Sequence, residues 1–229
     1  MSVQSVSGIV SIPKVTVSKK VTENNRSIGH LIGRVLHTLL PRGWFCWISR
    51  GIIQIQAIIK PHKWSYWTKL SDEIYLGAMP LKNWKHIEKI TNLGIKAILS
   101  INEDYEFKKQ LFADPVKPED WKKRNINFLT IASPDLEPIE LSKIAIAVNY
   151  VVEQVKLGNK IYVHCTGGRA RSVSIAICSL VMLKRYTLEE SINFVKQCRP
   201  QVMLSQNQLE SMLSWYNKNQ SISNSTRFE

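Results

Sequence analysis

Cysteine is scarce in this chain, and acidic residues are nearly absent from its first 70 positions. The 229 residues include only four cysteines, and no two of them form a Cys-x-x-Cys pair. This spacing gives little support for a structural zinc site. So few cysteines in a chain of this length also argue against a disulfide framework. We therefore expect the protein to work in an intracellular, reducing compartment.

The excess positive charge belongs mainly to the N-terminal segment. The chain has 31 basic and 18 acidic residues. Residues 1–70 contain ten of the basic residues but only one acidic residue, Glu23. No clean secretory signal is present. Arg34, Arg42 and Arg50 interrupt the apolar residues of this segment, so it contains no window of 18 uncharged apolar residues. A conventional membrane-spanning helix is therefore not expected in this segment.

The segment still has features of a surface that contacts lipid. Apolar residues recur at helical spacing through residues 28–40, and several tryptophans follow. A basic, Trp-rich, amphipathic segment is suited to lie on an anionic membrane surface, which predicts a peripheral membrane protein. Two alternatives remain open: the segment packs on the following domain, or it is a targeting peptide.

The pattern predicts four regions: a mobile tail at 1–27, the amphipathic segment at 28–69, a folded domain at 70–218 and a polar tail at 219–229. In the domain, short apolar runs alternate with helical stripes, which predicts an α/β fold with a short, mostly parallel sheet flanked by helices. The predicted strands are 74–76, 97–101, 128–131 and 161–163. The predicted helices are a stripe from Leu141 to Val155, an apolar run at 173–183, a capping-box helix from Thr187 to about Cys198, and a last helix at about 207–217.

The segment from Ile161 to Ser172 indicates the chemistry. A buried strand leads into His164 and Cys165, a glycine-containing loop follows, and Arg171 stands six residues after the cysteine. A thiol is a useful nucleophile only as its thiolate, which the N–H groups of such a loop and the start of a helix stabilise. The expected phosphate-binding loop contains Thr166, Gly167, Gly168, Arg169 and Ala170.

Each flanking residue has an expected role. Arg171 offers a planar fork that matches two phosphate oxygens. Ser172 is expected to donate a hydrogen bond to the sulfur and improve it as a leaving group, and His164 is expected to hold the loop by hydrogen bonding. Thr166 and Arg169 contact the substrate beyond its phosphate or else face solvent, and substrate contact is favoured for Arg169.

A leaving oxygen needs a proton, so a general acid is expected on a neighbouring loop. Asp135 follows the strand that ends near Ile131 and emerges at the same sheet edge as the cysteine loop. Glu137, in the same loop, is the competing candidate. With these groups the chemistry needs no metal ion and no organic cofactor.

These residues resemble the Cys-x5-Arg protein tyrosine phosphatase superfamily, and the size of the domain resembles its dual-specificity type. The stretches Glu73–Leu81, Ile101–Glu106 and Tyr162–Cys165 are similar to the mitochondrial-type phosphatidylglycerophosphate phosphatases, a branch related to phosphoinositide lipid phosphatases. The resemblance implies that Cys165 is the nucleophile, Arg171 binds phosphate and Asp135 is the general acid. It also implies that Glu103, Asp104 and Tyr105 support the site. That branch has Lys-Ala after the cysteine, where this chain has Thr166-Gly167.

The resulting hypothesis is a phosphatase that forms a thiophosphate intermediate and acts on a phosphorylated lipid, either phosphatidylglycerophosphate or a phosphoinositide. The alternatives are a dual-specificity phosphoprotein phosphatase, an RNA 5′-triphosphatase and a non-catalytic phosphate-binding protein. Nucleic acid is disfavoured because the positive charge lies in an apolar, Trp-rich segment. The location could be mitochondrial, although a bacterial effector delivered into a host would share these features. The sequence does not indicate an oligomeric state.

Overall fold

The computed structural model describes residues 65–110 and 113–225, with side chains through residue 220, together with Val35 and Leu39. The expected tail at 1–27 and most of the segment at 28–69 lie outside the described residues. Val35 and Leu39 are both helical and exposed. Within the described ranges, no helix is long and apolar enough to cross a bilayer.

The domain alternates strands and helices, as the sequence predicts. The strands are β1 (Trp67–Lys69), β2 (Ile74–Ala78), β3 (Ile95–Ser100), β4 (Asn127–Thr130) and β5 (Lys160–Cys165). The α-helices are α1 (His86–Asn92), α2 (Pro118–Lys122), α3 (Leu141–Lys156), α4 (Arg171–Lys184), α5 (Leu188–Cys198) and α6 (Gln206–Ser225). Short 3-10 helices span Lys82–Trp84 and Asp104–Phe107.

The sheet has five strands in the order β1-β2-β5-β3-β4. Strands β2, β5, β3 and β4 run parallel, and β1 pairs antiparallel with β2 at one edge. This topology confirms the predicted α/β class with a mostly parallel sheet. All four parallel strands therefore direct their carboxyl ends toward the same edge of the sheet.

Helices cover the two faces of the sheet unequally. Helices α3, α4, α5 and α6 form the larger core with one face, where β5 contributes Ile161, Val163 and Cys165. Helices α1 and α2 form a smaller core on the other face around Trp121 and Tyr162. Alternate residues of β5 thus enter opposite cores, as the two-residue period of a strand requires.

The observed boundaries differ from the predictions at both ends of the domain. Residues 67–69, which the predicted boundary at 70 left in the preceding segment, form β1 and pair with β2. Helix α6 continues to Ser225, beyond its predicted end at about 217 and into the predicted polar tail. The helix has buried anchors at Leu209, Met212 and Trp215. Helix α5 has the predicted bounds, and Thr187 caps it by accepting from the backbone N–H of Glu190.

Candidate active site

Four loops meet at the carboxyl edge of the parallel strands. The strand register aligns Ala78 with Cys165, Ser100 with His164, and Ser100 with Thr130. The segments that follow β2, β3, β4 and β5 therefore begin side by side. They supply, in turn, the backbone of Met79, the Asn102–Phe107 turn, the loop around Asp135 and the loop after Cys165.

Cys165 is the last residue of β5 and lies at the base of its loop. Its side chain is buried, and the Ser172 hydroxyl donates to its sulfur at 3.3 Å. Ser172 is the second residue of α4, so the N-terminus of that helix, where backbone N–H groups are unsatisfied, adjoins the thiol. The thiol, the hydroxyl and the helix N-terminus have the relative placement that the sequence predicts.

The loop after Cys165 depends on Gly168. Of the two loop glycines, Gly168 takes a positive φ, of 61°, which costs a side-chain-bearing residue energy. A Cβ placed on Gly168 would also lie 2.3 Å from the backbone carbonyl of Gly77 on β2. The loop therefore packs directly on the neighbouring strand, and this contact leaves no space for a side chain.

Arg171 is fully buried and is held by two acids. Its Nη1 donates to Glu106 Oε2 at 2.8 Å, its Nη2 donates to Glu106 Oε1 at 3.0 Å, and Nη2 lies 3.0 Å from Asp135 Oδ1. The carbonyl of Ser133 accepts from Nη1 at 2.9 Å. Burial alone would lower the pKa of Arg171, but Asp135 and Glu106 outweigh it and raise that pKa well above its ordinary value. The guanidinium is therefore a fixed positive charge.

Glu106 is the centre of a buried polar network. Asn102 Nδ2 donates to Glu106 Oε1 at 2.9 Å and to Thr166 Oγ1 at 3.0 Å. The Thr166 hydroxyl donates to the same carboxylate oxygen. Burial would raise the pKa of Glu106, but the Arg171 charge and these hydrogen bonds lower it. The carboxylate is therefore ionised and orients both Arg171 and the loop.

Thr166 is itself buried, so its side chain faces the protein interior. Of the three neighbouring residues expected to support the site, Asp104 is exposed, and Glu103 and Tyr105 are half-buried. Glu103 forms the capping box of the turn with Glu106. The Asn102 side chain contacts Thr166 of the cysteine loop, and the Glu106 side chain contacts both Thr166 and Arg171.

Asp135 is the acid of its loop that faces the site. Its side chain is 20% exposed and pairs with Arg171, whereas Glu137 is exposed. Leu136 has a positive φ of 63°, and its N–H donates to Asp135 Oδ1 at 3.1 Å. Such backbone strain persists only where surrounding contacts impose it, so the loop conformation is well determined. The geometry favours Asp135 over Glu137 as the proton donor.

The structure places His164 in the interior and Arg169 against a neighbouring segment. Neither ring nitrogen of His164 makes a hydrogen bond of normal geometry with the described residues. Burial lowers the pKa of His164 to about 3, although a hydrogen bond with the Cys165 backbone opposes the shift, so the ring is neutral. Arg169 Nε donates to the carbonyl of Gln201 at 3.2 Å, and its Nη2 lies 3.2 Å from Met203 Sδ. The Arg169 guanidinium thus lies against the segment between α5 and α6.

Sequence patterns did not identify two charged residues of the site. Glu106 contacts Arg171, which lies 65 residues away in the sequence. Arg199 donates to the carbonyl of Gly168, which lies 31 residues away in the sequence. For Glu106 a signal was present, because it ends the Ile101–Glu106 stretch on which part of the family resemblance rests. For Arg199 the only signal was a basic residue just after the predicted end of α5. Within the described ranges, no cluster of three or more His, Cys, Asp or Glu could hold a metal ion.

Comparison with known families decides the assignment. The family model described as the dual specificity phosphatase catalytic domain matches residues 74–218. The chain belongs to the dual-specificity phosphatase family. This confirms the family that the Cys-x5-Arg segment indicated.

The similar relatives are consistent with that assignment. An Arabidopsis thaliana phosphatidylglycerophosphate phosphatase, PTPMT1, is 31% identical over 153 residues, covering 66% of this chain and 42% of the relative. A second from the same plant, PTPMT2, is 28% identical and is covered over 59% of its length. The chain thus spans about half the length of these two relatives. A mouse phosphatidylglycerophosphatase and protein-tyrosine phosphatase 1 is 24% identical over 66% of this chain and 76% of its own length.

Solved structures share the fold. The crystal structure of PTPMT1 aligns with 70% of this chain and 99% of its own, with a TM-score of 0.62 and 23% identity. A crystal structure of PTPMT1 in complex with PI(5)P aligns over 69% of this chain and 99% of its own, with a TM-score of 0.62 and 22% identity. These alignments confirm the predicted phosphatase fold for the described domain.

Proposed function

We propose that this dual-specificity phosphatase hydrolyses the phosphomonoester of a phospholipid through a thiophosphate on Cys165. The observation that carries the proposal is the convergence of four groups around one loop. Ser172 lies against the Cys165 sulfur, Arg171 is fixed beside that loop, and Asp135 lies against Arg171. A nucleophile, a phosphate-binding cation and a proton donor are thus within one site.

In the first step the Cys165 thiolate attacks phosphorus, and the bond from phosphorus to the leaving oxygen breaks. Asp135 donates its proton to that oxygen, so the lipid leaves as an alcohol. Arg171 binds the equatorial phosphoryl oxygens; its Nε is buried and has no partner among the described residues, so this donor remains for an incoming oxygen. Before this step the substrate phosphate replaces the Asp135 carboxylate on Arg171, and the released Asp135 takes up a proton from solvent.

In the second step water attacks phosphorus and the sulfur–phosphorus bond breaks. Asp135, now a carboxylate, accepts the proton from water, and Cys165 leaves as a thiolate. The Ser172 hydroxyl, 3.3 Å from the sulfur, donates to it and makes it a better leaving group. Inorganic phosphate is then released, and the site returns to its starting state.

A lipid substrate is supported by the relatives and by the charge distribution. The relatives described above carry names that specify phosphatidylglycerophosphate, and a fold neighbour was solved with PI(5)P. Basic residues exceed acidic ones ten to one in residues 1–70. Thr166, in contrast, is an uncharged residue buried against Glu106. The position after Cys165 therefore supplies no positive charge to a lipid head group.

The chemistry is tested by comparing two leaving groups in wild type, Cys165→Ser and Asp135→Asn. With a lipid phosphate, whose leaving alkoxide needs a proton, Asp135→Asn lowers kcat about 100- to 10,000-fold. With p-nitrophenyl phosphate, whose leaving phenolate is stable without a proton, the same substitution lowers kcat much less. Cys165→Ser abolishes turnover of both, and Ser172→Ala accumulates the phosphoenzyme in rapid-quench experiments. Equal losses of Asp135→Asn on both substrates would contradict the assigned acid.

The substrate class is tested by phosphate release from a panel presented at matched concentrations. The panel contains phosphatidylglycerophosphate and phosphatidylinositol phosphates in mixed micelles, phosphotyrosine and phosphothreonine peptides, and RNA 5′-triphosphate. The proposal predicts the highest kcat/KM on a phospholipid. A peptide or RNA that exceeds every lipid overturns the lipid assignment. Binding without release from any substrate overturns the enzyme assignment.

We also propose that the predicted amphipathic segment at 28–69, up to the start of β1 at Trp67, binds an anionic membrane surface. Replacing Arg34, Arg42 and Arg50 together by Gln removes three charges, each contributing about 1 kcal/mol near such a surface. The triple Gln variant should therefore co-sediment less with phosphatidylglycerol vesicles, whereas the matched triple Lys variant should bind like wild type. Equal sedimentation of the wild type and the Gln variant contradicts the proposal.

A further inference from the structure

Arg199 is a buried cation next to the phosphate loop that has no part in the chemistry described above. It is 1% exposed and follows α5 directly. Its guanidinium makes three hydrogen bonds, from Nε to the Gly168 carbonyl at 2.7 Å and from Nη1 to the Ser65 carbonyl and Thr68 Oγ1, both at 3.0 Å. Burying a guanidinium is costly, so a cation that lies this deep with neutral partners needs an explanation.

The carbonyls of the loop are held by groups outside it. Thr166 O accepts from the N–H of Met79 at 3.2 Å, Gly168 O accepts from Arg199, and Arg169 O accepts from the N–H of Met203 at 2.9 Å. The described chain contains no cis peptide bond. In a planar trans peptide the carbonyl and the N–H of the next residue point in opposite directions. Fixing the Gly168 carbonyl toward Arg199 therefore turns the N–H of Arg169 away from Arg199.

Gly168 is the loop residue for which this constraint matters most. Its φ is 61°, and glycine peptides rotate more freely than others. Of the three outside donors, Arg199 is the only side chain and the only charged group, and a charged donor forms the stronger hydrogen bond. Without it, the peptide between Gly168 and Arg169 can rotate and present its carbonyl, instead of its N–H, to an anion.

We propose that Arg199 is a positioning residue that fixes the Gly168–Arg169 peptide with its N–H directed to the phosphate. The same side chain links this peptide to Ser65 and Thr68, so the start of the domain supports the loop. Gln201 reinforces the link, because its Nε2 donates to the Ser65 carbonyl at 2.7 Å. The inference rests on the proposed role of the Cys165 loop as the phosphate site.

The test uses the full chain and four variants: Arg199→Gln, Arg199→Lys, Thr68→Val and Arg124→Gln. Arg124 is the matched control, since it is a partly exposed arginine paired with Glu88 at the surface. Phosphate affinity is measured without turnover, as the inorganic phosphate concentration that protects Cys165 from alkylation by iodoacetate. Steady-state kinetics on p-nitrophenyl phosphate and thermal unfolding are measured in parallel.

Arg199→Gln should lower phosphate affinity and kcat/KM by about 10- to 100-fold, as expected when reacting groups shift by a fraction of an ångström to an ångström. Arg199→Lys should recover part of the loss, since an ammonium can still donate to the Gly168 carbonyl. Thr68→Val, which keeps that bond, should affect phosphate affinity much less than Arg199→Gln does. Arg124→Gln should behave as wild type.

Wild-type phosphate affinity in Arg199→Gln overturns the proposal, even if that variant unfolds more easily. If Arg199→Gln does not fold, Arg199→Met, which also removes the charged donor, takes its place, and wild-type phosphate protection in that variant overturns the proposal. A wild type that turns over no substrate contradicts the proposed function instead. The alkylation measurement still tests Arg199 in that case.

Discussion

The buried contact between Glu106 and Arg171 is the strongest electrostatic feature at the level of single residues. Both side chains are almost completely inaccessible, and two hydrogen bonds join them. An ion pair of this kind adds little stability over an apolar replacement, but removing one partner leaves an uncompensated charge. We infer that Glu106 keeps Arg171 in one orientation, while the proposed mechanism requires Asp135 to exchange with phosphate.

We predict that Glu106→Gln destabilises the protein on the order of 3 kcal/mol at neutral pH, measured by urea unfolding. Phosphatase kcat/KM should fall in the same variant, because Arg171 loses its fixed partner. Since the pKa of Glu106 is lowered from 4.5 in the folded state, its contribution is complete above that pH and is lost as pH falls further. The difference between wild type and Glu106→Gln should therefore shrink below about pH 4.5.

The control for this prediction is Glu88→Gln, which removes a half-exposed carboxylate that pairs with Arg124. Such surface pairs contribute little, so this variant should be nearly neutral. A Glu106→Gln protein with wild-type kcat/KM would show that Arg171 is oriented without Glu106.

The contact between the cysteine loop and β2 is tightly constrained at the level of elements. Gly168 and Gly158 both have positive φ, at 61° and 75°. A Cβ on Gly158 meets nothing within 4 Å, whereas a Cβ on Gly168 overlaps the Gly77 backbone. The two positions share the cost of the left-handed conformation and differ only in available space.

Alanine at each glycine separates these two effects. Gly158→Ala should lower the free energy of unfolding by about 1–2 kcal/mol, because alanine is strained in the left-handed conformation, and should leave kcat unchanged. Gly168→Ala should lower the free energy of unfolding by about 1–3 kcal/mol more than Gly158→Ala does, because the loop must move away from β2. For the same reason it should reduce kcat/KM by about tenfold or more. Urea unfolding and steady-state kinetics measure both, and equal behaviour of the two variants would contradict the packing argument.

The elements that the sequence predicted are those with local patterns. Strands β2 to β5 are apolar runs, and α3 and α5 show a helical stripe or a capping box, so their residues alone indicate them. Strand β1 has three residues at the sheet edge and is defined by pairing with β2, which its own sequence does not reveal. Cys165, Arg171 and Ser172 were identified because one short segment contains them. Glu106 and Arg199 act across long sequence separations, which no spacing rule detects.

At the level of the whole molecule, the start of the domain and the phosphate loop form one connected unit. Strand β1 covers the edge of β2, and Ser65 and Thr68 bind Arg199, which holds Gly168. The basic segment before residue 65 joins the domain at this point. Ser65, the first described residue after that segment, is bound by the group proposed to support the loop, so the proposed functions of membrane binding and catalysis can be separated by where the chain is cut.

We predict that a chain starting at residue 61 retains wild-type kcat/KM on p-nitrophenyl phosphate and loses binding to phosphatidylglycerol vesicles. A chain starting at residue 70 lacks Ser65 and β1, so Arg199 loses two of its three hydrogen bonds and β2 becomes an edge strand. It should unfold at lower temperature and lose roughly tenfold in kcat/KM on the same soluble substrate. Equal activity of the two truncated chains would show that β1 does not support the loop. Vesicle binding by the chain starting at 61 would show that the membrane contact lies within the domain.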